Sequence, residues 1–424
     1  MFEKLVQIWK LPDLRNKILF VLGMLVVFRF AANIPLPGVN VANLRSFFQG
    51  NEIFGLLNIF SGGGLEQFSV VAMGVGPYIT ASIIFQLLVM IIPRLEALSK
   101  EGEYGRQKIN QYTRYLTVPL AVLQSYGLIM LLKQSPKPIL GSLDPWSMAL
   151  MILTMTAGTI FLMWIGELIS EKKIGNGVSL IIFAGIVASA PRVIQSLELL
   201  DATQMFNLAL FAVISIVIIA LVVVMTEGQR NIPVSYARQM HGSRMTGGVD
   251  THLPIRVNQA GVIPIIFAIS IILFPPTIAQ FFLRAKTPEL VAAAQAVISF
   301  FQNNIIYGVL YFLLVIGFTY FYTAVIFKPE QIAENLQKQG GFIPGIRPGN
   351  PTIEYLQSIV SRIILPGAIF LGFIAVLPLM LQDLTGLSAL AVGGTSLLIV
   401  VSVVLETFKQ IEAQLTMRDY EAFL

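Results

Sequence analysis

Ten mostly apolar stretches, most of them about 20 residues long, alternate with shorter polar segments along the chain. Because a helix needs about 20 apolar residues to cross a bilayer, each stretch is predicted to be a transmembrane helix. The predicted spans are 16–34, 75–92, 115–132, 147–168, 178–190, 206–226, 260–282, 305–327, 363–381 and 391–408. The pattern therefore predicts an all-α polytopic membrane protein with ten transmembrane helices.

The second span differs from the others because glycines precede it and interrupt it. Residues 61–93 read SGGGLEQFSVVAMGVGPYITASIIFQLLVMIIP. Pro77 has no N–H and clashes with the preceding turn, so a helix is expected to break or begin there. Irregular backbone at membrane depth is tolerated only inside protein or beside a water-filled cavity. We therefore predict a short re-entrant segment at 62–72 and a helix from about residue 75; one continuous, kinked helix is the alternative.

Composition agrees with a membrane protein: 55% of the residues are hydrophobic and 12% are charged, with a mean hydropathy of +0.77. The absence of cysteine excludes disulfides and thiolate metal sites. Most of the 28 Lys and Arg residues fall in segments on one side of the predicted spans. The positive-inside rule therefore predicts that both termini are cytoplasmic. Arg29 lies within the first span, where its long side chain is expected to reach the outer interface as a structural residue.

Two cytoplasmic segments, 227–258 and 328–361, are longer than the other loops. The second contains GGFIPGIRPGNP at 340–351, whose glycines and prolines predict a rigid, sharply turned tip. Phe342 and Ile343 within it are expected to be buried, which a plain linker would not require. We interpret both segments as docking surfaces for a cytoplasmic partner; simple connectors are the alternative.

The chain contains a weak internal repeat. GVGPYITA at 74–81 aligns with GVIPIIFA at 261–268, and VSLII at 178–182 aligns with TSLLI at 395–399. These matches pair span two with span seven and span five with span ten. Since each unit holds five helices, the second unit must be inverted relative to the first, and a working site is expected near the midplane between them. The predicted halves are 1–190 and 191–424.

Ile79 aligns with Ile266 and Ile182 with Ile399, while Val75 and Val178 lie four residues before Ile79 and Ile182 and so share their helix faces. If they converge from four helices, they would form a narrow apolar collar that blocks water and ions by dewetting. We call these six residues the collar: Val75, Ile79, Val178, Ile182, Ile266 and Ile399. Ordinary core or lipid-facing packing is the alternative interpretation.

Several kinds of site are missing from the sequence. Ion-coupled transporters need carboxylates or histidines inside the membrane, but His241 and His252 both lie in the first long loop. No span carries Asp or Glu at its centre, and no protease, esterase or nucleotide-binding motif is present. We therefore expect a passive conduit driven by a partner, with no catalytic residue, metal or cofactor. An ion-coupled secondary transporter and a scaffold that recruits an ATPase without conducting anything are the alternatives.

Seven motifs, spread over essentially the whole chain, carry a resemblance to a known family. They are FSGG (60–63), GVGPYITASII (74–84), KEGEYGRQKINQYTR (100–114), IGNGVSLIIFAGIV (174–187), AGVIPIIFA (260–268), GGFIPGIRPG (340–349) and GGTSLLIVV (393–401). In this order they resemble the SecY family of bacterial protein-conducting channels. The resemblance implies a ten-helix clamshell of two inverted halves whose collar is the pore ring.

The resemblance also implies a plug at 62–72, on the outer side of the ring, and a lateral gate between spans two and three and spans seven and eight. The plug residues would include Gly62, Gly63, Gly64, Leu65, Phe68 and Val70. Thr80, Gln86 and Asn258 are polar residues expected near the gate.

The implied partners are the SecE and SecG subunits, the ATPase SecA, the ribosome, signal sequences, unfolded preproteins and membrane lipid, with no small-molecule substrate. Chemical energy would enter through SecA. The contact with SecA or the ribosome is expected at Arg347, supported by Arg238, Arg244 and Arg256, since arginines suit the phosphates of ribosomal RNA. The implied location is the bacterial inner membrane.

Overall fold

A computed structural model describes residues 9–40, 43–44, 61–65, 67–133, 139–141, 144–197, 202–236, 239–241, 244–246, 251–283, 287–385 and 388–421. Its helices are α1 (Pro12–Ala32), α2 (Gly76–Ile91), α3 (Pro93–Lys100), α4 (Glu103–Lys133), α5 (Pro145–Glu171), α6 (Gly177–Leu197), α7 (Ala202–Glu227), α8 (Ile263–Phe282), α9 (Pro288–Gln302), α10 (Asn304–Ile326), α11 (Pro329–Lys338), α12 (Asn350–Thr385) and α13 (Ser388–Glu421). A helix lies at each of the ten predicted positions. The short helices α3, α9 and α11 were not predicted.

Not all of these helices are long enough to cross a bilayer by themselves. Within the described residues, four helical stretches have the required length and hydropathy: Glu103–Lys133, Pro145–Glu171, Asn304–Lys338 and Asn350–Leu377. Gly76–Ile91 and Pro93–Lys100 reach that length only as a pair, and they are bent by 100° at the break between them. The number of membrane crossings therefore stays a prediction.

The second span is not one kinked helix, so that alternative is wrong. Helix α2 begins at Gly76 with Pro77 in its first turn, where the missing N–H costs no hydrogen bond. Before it, residues 61–65 and 67–75 form turns, apart from Ser69, which makes an isolated β-bridge with Pro35. Gly62 and Gly74 have φ angles of 63° and 57°, which glycine adopts without steric cost.

The helices of the two predicted halves meet along two sides of the bundle. On one side α8 packs against α2 and α4, and on the other α13 packs against α6. The end of α13 also makes polar contacts with the first half. Gln410 Oε1 accepts a hydrogen bond of 2.6 Å from the Gly175 N–H, and Lys17 Nζ donates one of 3.1 Å to Gln414 Oε1. These contacts join the two halves away from the α8 seam.

A small sheet adds β structure to the expected all-α fold. Strand β1 (Gln229–Tyr236) pairs antiparallel with β4 (Thr251–Arg256) and with β5 (Gly341–Phe342), while β2 (Gln239–His241) and β3 (Arg244–Thr246) form a separate pair. β1 forms because the buried Ile232 and Val234 alternate with exposed residues, and Ile232 packs in an apolar cluster that includes residues of α12.

The β1–β5 pairing changes the interpretation of the two long loops. Ser235 pairs with Phe342, so both loops contribute to one folded unit instead of two separate surfaces. Ile343 is buried in that unit, as expected. Phe342 is 39% exposed, so its predicted burial is wrong; successive residues of a strand point to opposite faces, and only one of the pair can face the core.

Glycine permits the close crossing of α5 and α6, and this yields a first prediction. A Cβ on Gly177 would overlap the Gly166 carbonyl oxygen and lie 2.7 Å from the carbonyl carbon. Because backbone atoms cannot rotate away, we expect Gly177→Ala to force the helices apart and to destabilise the protein by about 1–3 kcal/mol. Gly317→Ala is the matched control, since no atom lies within 4 Å of its added Cβ. Thermal unfolding of the purified protein measures both; equal midpoints would contradict the prediction.

Candidate functional site

The structure brings all six collar residues into one apolar cluster. Five of them are buried in this cluster, which is the main core of the bundle, and Val178 is half-buried and packs against the cluster. They lie at four helices: Val75 directly precedes α2 and Ile79 lies near its start, Val178 and Ile182 are in α6, Ile266 is in α8 and Ile399 is in α13. Two of these helices belong to each predicted half. The collar residues therefore lie where the halves meet, and their role as a pore constriction stays a prediction.

A cavity of about 160 Å³ adjoins the collar, and Ile79, Val178 and Ile266 form part of its wall. Eight further residues of the wall carry polar side chains. They are Tyr78, Ser82, Gln86, Glu167, Ser170, Asn176, Ser179 and Tyr322. The cavity thus places polar side chains directly beside three of the collar residues.

The carboxylate of the cavity wall is paired. Arg114 Nε of α4 lies 2.6 Å from Glu167 Oε1 of α5, so the ion pair ties two helices of the first half together. Nearby, Asn176 caps α6, because its Oδ1 accepts hydrogen bonds from the N–H groups of Val178 and Ser179. This cap holds the start of α6, and with it Val178, at the cavity. Among the residues that the structure describes, no group of three His, Asp or Glu side chains could hold a metal ion.

The three polar residues predicted for the gate lie in different places. Gln86 lines the cavity, where its Nε2 donates a 3.2 Å hydrogen bond to Ser82 Oγ. Thr80 Oγ1 instead donates to the Gly76 carbonyl of its own helix at 3.1 Å. Asn258 is buried in the turn before α8, where its Nδ2 donates to the Gly261 carbonyl at 3.3 Å.

The sequence interpretation missed Tyr78 and Ser82 as cavity residues. Tyr78, Ser82 and Gln86 are four residues apart along an otherwise apolar helix, so they share one face. That spacing was a usable signal. It would have predicted a polar stripe on α2 beside the collar face that carries Ile79.

The predicted plug residues lie in a packed segment, which extends from Ser61 to Val75. Leu65, Phe68 and Ala72 are buried in a second apolar cluster with side chains of α4 and α5, among them Ile129 and Met155. Val71 and Val75 belong instead to the cluster that contains the collar. The 61–75 segment therefore runs from an apolar core in the first half to the collar, and it is more firmly packed than a loosely tethered stopper would be.

Two of the four predicted docking arginines, Arg256 and Arg347, lie on the β-sheet unit. Arg347 is exposed in the turn between β5 and α12, and its carbonyl accepts a 2.9 Å hydrogen bond from Thr352 Oγ1. Arg256 is exposed at the end of β4, opposite Gln229 of β1. Arg244 begins β3, and Arg238 lies outside the described residues. Arg256 and Arg347 are thus presented by the same folded unit.

A bundle of helices, four of whose described stretches are long and apolar enough to cross a membrane, is the architecture of a polytopic helical membrane protein. The SecY family matches residues 69–408, which is more than half of the chain. The chain belongs to the SecY family.

Full-length relatives agree with this assignment. Protein translocase subunit SecY of Streptomyces galbus is 44% identical over 447 residues, with 100% of both chains covered. The subunit of the same name from Mycobacterium bovis is 45% identical over 439 residues, with 97% of each chain covered.

Solved structures show the same fold at low sequence identity. A protein conducting channel has a TM-score of 0.62 and 17% identity, over 93% of this chain and 91% of its own. Sec61 in the canine ribosome–channel complex from the endoplasmic reticulum has a TM-score of 0.58 at the same identity and coverage. A third structure, with a TM-score of 0.62 and 18% identity, is that of a SecY protein whose plug domain stabilises the closed state of its channel.

Proposed function

We propose that the chain is the channel-forming subunit of a protein translocase, a passive conduit that moves unfolded polypeptides across a membrane. The observation that carries the proposal is the convergence of the collar residues from both halves in a chain 44% identical, end to end, to a protein translocase subunit. Aliphatic side chains exclude water and ions by dewetting, yet they can part around a polypeptide without breaking hydrogen bonds. The chain's role is conduction, and the energy comes from a partner.

The proposed architecture is a clamshell of two inverted halves, 1–190 and 191–424, with ten membrane crossings. The lateral gate would lie at the seam where α8 packs against α2 and α4. Gln86 at this seam has a buried Oε1 without a hydrogen-bond partner, which a passing polypeptide backbone could satisfy. Thr80 and Asn258 would contribute through the backbone turns that they hold at the starts of α2 and α8. Hydrophobic segments would leave sideways through this seam into lipid.

The plug would be residues 62–72, on the outer side of the collar. Its support is the burial of Leu65 and Phe68 and the continuity of Val71 with the collar cluster. On this proposal the collar and the plug are two seals in series, and the polar cavity is the cytoplasmic vestibule.

The proposed partners are SecE, SecG, SecA and the ribosome, together with signal sequences and preproteins. The sheet unit would be the docking surface, because it presents Arg347 and Arg256 on rigid strands and turns. Ribosome docking also has a parallel in the Sec61 ribosome–channel complex, which shares the fold. The proposed location is the bacterial inner membrane, with both termini in the cytoplasm.

Reconstitution tests the proposed function. Liposomes containing the chain with SecE and SecG should import an unfolded preprotein when SecA and ATP are added outside. Solute uptake that depends on a sodium or proton gradient, without preprotein import, would support the transporter alternative instead. Binding of SecA without import under conditions that retain assembly would support the scaffold alternative.

A further inference from the structure

Two glycines of α5 and α6 face the 61–75 segment instead of the neighbouring helix. Helices α5 and α6 cross closely at Gly166 and Gly177. Gly158 and Gly185 each lie eight residues away from that crossing, or about 12 Å along the helix axis. At this level, the nearest atoms to an added Cβ all belong to the 61–75 segment. The 61–75 segment therefore packs against both helices at this level.

The contacts at both glycines involve backbone. A Cβ on Gly185 would overlap the Cα of Gly62 and lie 2.7 Å from its carbonyl carbon. A Cβ on Gly158 would overlap the Val70 carbonyl oxygen and lie 2.9 Å from its carbon. Gly62 and Val70 lie near opposite ends of the proposed plug. Each end thus rests on a helix surface that only glycine leaves open.

Helix α1 encloses the first of these ends from another side. The Phe28 ring is fully buried against Gly62, and Arg29 Nη1 donates a 2.8 Å hydrogen bond to the Gly62 carbonyl. Arg29 therefore binds the 61–75 segment. The sequence predicted only that its side chain would reach the outer membrane interface. At the other end, the Val70 N–H donates to the Ile34 carbonyl at 3.0 Å.

We infer that Phe28, Arg29, Gly158 and Gly185 are positioning residues that form a seat for the plug, and that their contacts hold the channel closed. We call these four residues the plug seat. The inference rests on the proposed channel function, and it names the residues that determine how stably the plug stays in its closed position. All four come from the first half, so the closed position of the plug is determined by that half.

Substituting alanine for the two glycines separates this role from the stability of the helices. Alanine favours a helix over glycine by about 0.8–1.0 kcal/mol, so α5 and α6 should form at least as well as before. The added Cβ meets backbone, which cannot rotate away, and the segment has to shift. Gly23→Ala is the matched control, because it makes the same change within α1 and its Cβ has no atom within 4 Å.

The experiment measures ion efflux from liposomes that contain the chain with SecE and SecG and no preprotein. We expect Gly158→Ala and Gly185→Ala each to raise the leak about tenfold, which corresponds to a shift of about 1.4 kcal/mol in the closed–open equilibrium. Gly23→Ala should leak no more than the unmodified chain. Copurification of SecE and SecG with each variant shows that it assembles.

A fourth variant tests the same contact without adding an atom against the 61–75 segment. Arg29→Met removes the hydrogen bond to Gly62 but adds no atom against it, and it should also raise the leak, whereas Arg29→Lys should restore part of the seal. Suppose that the alanine variants and Arg29→Met all leak no more ions than the control, while deletion of 62–72 does raise the leak. The plug seat would then be wrong, and the proposed plug would be retained. If the deletion is tight as well, the plug itself is wrong.

Discussion

Deleting residues 62–72 will make the reconstituted channel leak ions in the absence of any polypeptide. The deletion removes Leu65 and Phe68, whose side chains are 3% and 0% exposed. Burying two such side chains contributes on the order of 3–6 kcal/mol, so the seated plug is strongly favoured over a displaced one. Since each 1.4 kcal/mol is a factor of ten in a population, we expect the ion leak to rise by at least about tenfold.

The measurement is conductance across a planar bilayer or ion efflux from liposomes, with SecE and SecG present. Import of preprotein should persist in the deletion variant, because the collar and the docking unit are unchanged. That persistence distinguishes a lost seal from a misfolded channel. A membrane as tight as that of the unmodified chain would count against the plug.

Arg347→Glu will abolish SecA-driven import while leaving assembly intact. Arg347 is exposed in a turn whose neighbouring residues are held by the β1–β5 pairing and by the Thr352 hydrogen bond, so the substitution changes the surface without disturbing a core. Reversing one charge at a docking contact replaces attraction by repulsion, which costs several kcal/mol at an interface. ATP-dependent import into liposomes measures the effect.

Two further variants make this result specific. Arg347→Lys keeps the charge but loses the planar guanidinium that binds two acceptors at once, and import should fall only partly. Arg230→Glu reverses another exposed charge on the same sheet unit and should retain most of the import. Normal import by Arg347→Glu, or equal loss in Arg230→Glu, would remove the special role of Arg347.

Local chemistry made several elements predictable. Helix α2 begins within one residue of the predicted position, because Pro77 has no N–H and suits only a first turn. Helical spacing identified Val75 and Val178, and the repeat identified Ile79, Ile182, Ile266 and Ile399; the structure gathers all six in one cluster. The repeat succeeded because both units place the same residue types at the start of corresponding helices.

Other features were not predictable from local sequence. The pairing of Ser235 with Phe342 joins segments more than 100 residues apart, and β5 has only two residues, too few for a strand pattern. The partner of Arg29 lies 33 residues away in an irregular segment. Neither contact produces a periodic pattern in the sequence, because each joins residues that come together only when the protein is packed.

The sequence by itself determined the apolar spans, the break before α2 and the aligned aliphatic positions, since these follow from hydropathy, from proline chemistry and from repetition. Only the tertiary structure decided how tightly the segment before α2 is held. The 61–75 segment is rich in glycine and could as well have been loose. It is packed because Gly158 and Gly185 leave room for its backbone against α5 and α6, and that fit exists only when all three elements are in place.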